Sequence, residues 1–140
     1  VLDELLGTWI DLHSGYVGWW LLDLWAASAA TGREERLQAA IDGFPVFPWL
    51  EVTTALIQRD FDSAVDRLDQ IGATSRTALV RLWAGERLVE QGRQADANVH
   101  LERSRDFWRS VGAQRYVDRC SSLLAGGEIE EGSFISASDP

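Results

Sequence analysis

The chain has 140 residues and a formal net charge of −9, with one cysteine, seven tryptophans and no methionine. That length suits one domain with a real core, and the acidity argues against a general affinity for nucleic acid or an anionic membrane. The lone Cys120 excludes an internal disulfide or a cysteine-built zinc site, and no apolar run is long enough to span a bilayer.

In chain order, Leu2, Leu5, Leu6 and Trp9 predict a first helix that ends near His13-Ser14-Gly15. Residues 16–30 predict a second, apolar on several sides and therefore buried on several sides. Thr31-Gly32 stops it. A short helix over 34–42 ends before Gly43. The stretch from Gly43 to Pro48 holds two prolines, which force extended geometry on the residues before them. Pro48 then suits the first turn of a helix over 48–58 with the stripe Trp49, Val52 and Leu56. Asp60-Phe61-Asp62 makes a turn into a helix over 62–71 that stops at Gly72.

Residues 78–113 are the organising stretch: two helices joined by a tight turn at Gly92-Arg93. Ala78, Leu82, Gly85 and Val89 form a stripe on the first, and Ala97, Leu101, Ser104, Trp108 and Val111 on the second. Thr74 or Ser75 is the expected cap of this hairpin. A last helix over about 114–125 presents Tyr116, Cys120 and Leu123, with Val117 and Leu124 beside them, and Gly126-Gly127 ends it. Residues 127–140 are acidic and without period, a pattern that predicts a disordered tail after a helical domain over 1–126.

Recurrence is the strongest organisational signal. Ala64 and Ala97 sit 33 residues apart after equivalent turns, and Gly72, Gly92 and Gly112 recur every 20 residues as helix stops. Charge is uneven along the chain. Residues 1–75 hold 12 acids against 4 arginines, residues 76–119 hold 6 acids against 9 arginines, and residues 120–140 hold 4 acids. The arginines of the middle block alternate with acids as on an exposed, ion-paired helix face.

Gly85, Gly92 and Ala97 fall at the spacing of tetratricopeptide repeats, which this chain resembles, although Ser104 stands where that family has Ala. Residues 44–125, and the phrase FWRSVGAQRYVDRCSSLLA above all, are similar to the C-terminal helical region of large bacterial signalling ATPases. In that family a nucleotide cyclase or DNA-binding domain precedes a P-loop ATPase and the helical repeats. The resemblance implies a regulatory or scaffold region. It transfers no cyclase or ATPase activity, because those motifs are not in this sequence.

Candidate chemistry is sparse. There is no phosphate-cradling glycine loop, and with no lysine there is no P-loop or Schiff-base lysine. His13 and His100 have no partner at metal-ligand spacing, so each is expected to be satisfied or solvated. Asp60, Asp62, Asp66 and Asp69 cluster around one turn, but Phe61 and Ala64 stand where a calcium loop needs oxygens or glycine. Helix capping and a solvated face account for these acids better.

The expectation is therefore an all-α fold of antiparallel helical hairpins stacked as a short, right-handed, tetratricopeptide-like solenoid. The expected function is a cytoplasmic, non-catalytic protein-interaction or regulatory module without cofactor, metal, nucleic acid or membrane partner. The start at Val1-Leu2-Asp3, without Met, adds the expectation of an excised part of a larger protein. The apolar N-terminal end is the expected protein-binding surface, through Leu6, Trp9, Trp19, Trp20 and Trp25, toward upstream domains or a second copy in a symmetric homodimer. The alternative is a sensor that holds a small molecule among these tryptophans.

Overall fold

The computed structural model of the chain describes residues 17–43 and 46–126, with side chains from Leu21 onward. Seven helices and no strand lie among the described residues: α1 (Val17–Ala30), α2 (Glu34–Ile41), α3 (Pro48–Ile57), α4 (Phe61–Ile71), α5 (Thr74–Glu90), α6 (Gln94–Ser110) and α7 (Gln114–Leu124). The all-helical expectation holds, with bounds within a residue or so from α1 to α4 and at α7. The helix predicted from Leu2, Leu5, Leu6 and Trp9, and the tail from residue 127, lie outside the described residues.

Local chemistry sets the boundaries. Phe47 is extended, at φ −141° and ψ 160°, as a residue before proline must be, and Pro48 opens α3 without losing a hydrogen bond the helix would use. The Asp60 side chain accepts a hydrogen bond from the Ser63 amide at 3.1 Å and caps α4. The cap expected from Thr74 or Ser75 does not form. Ala73 precedes the helix, and α5 starts without a side-chain cap.

Five turns close in the same way. A left-handed residue follows the helix, and the next amide donates to a carbonyl five residues back: Arg33 to Ser28, Asp60 to Ala55, Ala73 to Leu68, Arg93 to Leu88 and Ala113 to Trp108, at 2.8–3.0 Å. Glycine holds the left-handed position at four of these turns, where a side chain would be strained. At the fifth it is Arg59, with φ 58°.

Each helix packs on the next, and helices two apart also meet, as α1 meets α3 and α5 meets α7. The interior divides into two cores that share α5. The first joins Leu22, Trp25, Ala29, Leu37, Ile41, Val52, Leu56, Val65 and Leu68 to Val80, Trp83 and Ala84. The second joins Ala78 and Leu82 to Ala97, Leu101, Trp108, Val117, Cys120 and Leu123. Helix α5 is thus buried on both sides, and the single stripe read from its sequence misses Val80, Trp83 and Ala84. In the second core Gly85 lies directly against Leu101, with no space for a Cβ.

Ser104 sits where three elements converge. Its hydroxyl donates to the Ala78 carbonyl at 2.8 Å and accepts from Trp108 Nε1 at 3.0 Å, with Cys120 Sγ 3.6 Å away. Burial pushes the Cys120 thiol above its ordinary pKa, so this cysteine acts as a core residue. Two stripe positions fall outside the core. Val111 follows the end of α6 and is 57% exposed, and Tyr116 is 39% exposed while stacking on Trp108 at 4.3 Å. Val117 takes the buried place on α7.

Candidate functional site

The most built-up polar feature links α1, α2 and the α3–α4 turn. Trp25, fully buried on α1, donates from Nε1 to Glu34 Oε1 at 2.8 Å. Glu34 opens α2 and receives both ends of the Arg59 guanidinium, at 2.7 and 2.9 Å. The same guanidinium lies 5.4 Å from the centre of the Trp25 ring, whose other neighbour is Trp83 at 5.1 Å. A two-pronged carboxylate pair and a cation over an indole favour Arg in this place over Lys. Together they offset the left-handed backbone that Arg59 adopts.

Arg59 also forms one end of a polar cleft of about 460 Å³. Its walls come from the start of α4 (Phe61, Asp62), the end of α5 (Ala84, Arg87, Leu88) and the start of α6 (Asp96, Val99, His100), with Gln91 and Arg93 from the turn. The charges are mixed and mostly engaged: Arg93 with Asp96 at 2.9 Å, Arg87 with Glu90 at 3.4 Å, and His100 Nε2 with Asp62 Oδ1 at 3.3 Å. Burial draws the His100 imidazole below its ordinary pKa. Asp62 pulls the other way, while Arg81 and Arg103 add to the depression. The expected satisfied or solvated His100 is only half realised, because its Nδ1 is buried without a partner.

The acids singled out in sequence divide among separate tasks. Asp60 caps α4, and its bond to Ser63 holds the carboxyl below its usual pKa. Asp62 faces His100, and Asp69 approaches Arg81 at 3.5 Å. Among the described residues no three metal-ligating side chains converge. A further pair spans α5 and α7, where Arg119 Nε donates to Glu86 Oε1 at 3.0 Å with both side chains nearly buried.

Of the predicted contact residues, Leu6 and Trp9 lie outside the described residues, and Trp19 and Trp20 belong to α1 with side chains that are not described. Trp25 is core rather than surface, because its N–H finds Glu34 and its ring is covered by Trp83 and Arg59. Trp108 is in the core as its stripe predicts, and Trp49 only packs against the core edge. Sequence reasoning missed the Trp25–Glu34–Arg59 cluster. One signal was available: Arg59 stands 33 residues before Gly92, so an arginine occupies a position that is glycine in the following unit. Comparison with protein-family models, curated proteins and solved structures gives no match.

Proposed function

We propose that this chain is a non-catalytic, tetratricopeptide-like helical repeat that serves protein interaction or regulation in a bacterial, cytoplasmic, multidomain signalling ATPase or nucleotide-cyclase-like protein. One observation carries the repeat reading: burial recurs in a 33-residue register. Ala64 and Ala97 are fully buried, as are Leu68 and Leu101. Thr53, Glu86 and Arg119 occupy one register position on α3, α5 and α7, and the last two pair across the step. Stacking of such units in a right-handed solenoid gives each helix a neighbour that completes its core.

The interaction role rests on the resemblance of residues 44–125 and on the apolar N-terminal sequence. Sedimentation of the chain over a concentration series tests it, with Leu6→Glu and Trp20→Glu as variants. Self-association of the wild type, reduced by either charge at unchanged helicity, is expected. A wild type that stays monomeric at high concentration refutes the homodimer through this end. For the sensor alternative, a saturable change in tryptophan fluorescence with one metabolite is the decisive result.

A further inference from the structure

His100 lies on the wall of the cleft where α6 faces α4. Its side chain is 12% exposed, its Nε2 meets Asp62 and its Nδ1 is buried without a partner. The charged groups around the ring are Asp62 from α4, Arg81 from α5, and Asp96 and Arg103 from α6. Arg59, Asp60, Arg87 and Arg93 line the rest of the cleft.

A neutral imidazole fits this place, with Nε2–H toward the carboxylate and Nδ1 as a bare acceptor. An imidazolium does not. Its second N–H would be a buried donor without an acceptor, which costs far more than a bond to water. Two guanidiniums add repulsion. Asp62 offers small compensation, because its side chain is 85% exposed and its field is screened. The ring gains its second proton most readily where water reaches Nδ1, and water reaches it when α6 moves away from α4.

We propose that the α4–α6 cleft is an acid-opened hinge, with His100 as the group whose protonation favours the open form. The pivot is α5, which gives one face to each core, so the two cores can tilt while each stays packed. Opening widens access to Phe61, Leu88 and Val99, which line the cleft now. This goes beyond the interaction-module reading and does not depend on it.

The sign follows from linkage. A histidine depressed in the closed form and ordinary, near 6.5, in the open form favours closure fully above that pH. Closure weakens as pH falls through and below it. Between pH 7.5 and 5.5 the opening equilibrium rises by up to about tenfold, the limit for one proton taken up by the open form alone.

The test uses the full chain. NMR titration follows the His100 ring, and amide hydrogen exchange is measured at pH 7.5, 6.5 and 5.5 with correction for intrinsic rates. His100 is expected to titrate below 6.5. Protection in the first turns of α4 and α6 is expected to fall by up to about tenfold, a step that His100→Gln removes and Asp62→Asn keeps. A wild-type His100 that titrates at or above 6.5 overturns the proposal, as does the same step in His100→Gln. The wild-type titration decides by itself if the variants fail to fold.

Discussion

Replacing Gly85 with alanine puts two known effects in opposition. In an open helix the change stabilises by about 1 kcal/mol, because alanine loses less backbone freedom. Here the new Cβ would lie 2.5 Å from Leu101 Cγ and would also overlap Leu101 Cδ2. Cγ is the branch point of a fully buried side chain, so it cannot swing clear as a flexible chain end could. Forcing a methyl into a packed core costs about 1–3 kcal/mol, and this geometry belongs at the upper end. The net expectation is a loss of about 2 kcal/mol, or about 1 M in a urea midpoint at a typical slope. Equilibrium unfolding by circular dichroism measures it. Leu101→Ala alone should cost about 2–5 kcal/mol. The double variant should be more stable than the sum of the two losses by about 2 kcal/mol, since the cavity accepts the methyl. A Gly85→Ala midpoint at or above wild type, or strict additivity in the double variant, refutes the close approach of α5 and α6.

At Arg59, comparison of Arg59→Gly with Arg59→Ala separates backbone from side chain. Both lose the Glu34 pair and the Trp25 contact, but only glycine relieves the left-handed φ, so it should be the more stable by about 1 kcal/mol in urea unfolding; equal stability would show that the turn relaxes. Glu86→Ala strands Arg119 in a nearly buried place and should cost about 3 kcal/mol. The paired replacement Glu86→Leu with Arg119→Met should recover most of that loss by the same assay, and no recovery would mean the pair is not the source of the cost.

The helices were legible because each carries its own punctuation. Pro48 starts α3, Asp60 caps α4, and Gly72, Gly92 and Gly112 take the left-handed position that ends a helix. These effects act within one or two turns of chain, so spacing alone reveals them. The recurrence of Ala64 and Ala97 was equally local to read, and both are fully buried. The expected cap at Thr74 or Ser75 failed because a capping residue identifies its role only once the first helical turn is fixed, and α5 begins at Thr74 itself.

Other features needed the assembled chain. A stripe reports one face, whereas α5 is buried on two, and which residues form the second face depends on where α1 and α4 arrive. Trp25 looked like surface because three tryptophans crowd one short segment. Its burial was decided by Glu34 and Arg59, which lie 9 and 34 positions further along the chain and become neighbours only when α1, α2 and the α3–α4 turn converge. The pairing of His100 with Asp62 is likewise a meeting of α6 with α4 across a cleft. The sequence by itself determined the helices, their stops and the register of small buried residues, because backbone geometry and capping are short-range. Only the tertiary structure decided which faces met and which charges were paired, because burial and ion pairing depend on groups far apart in sequence.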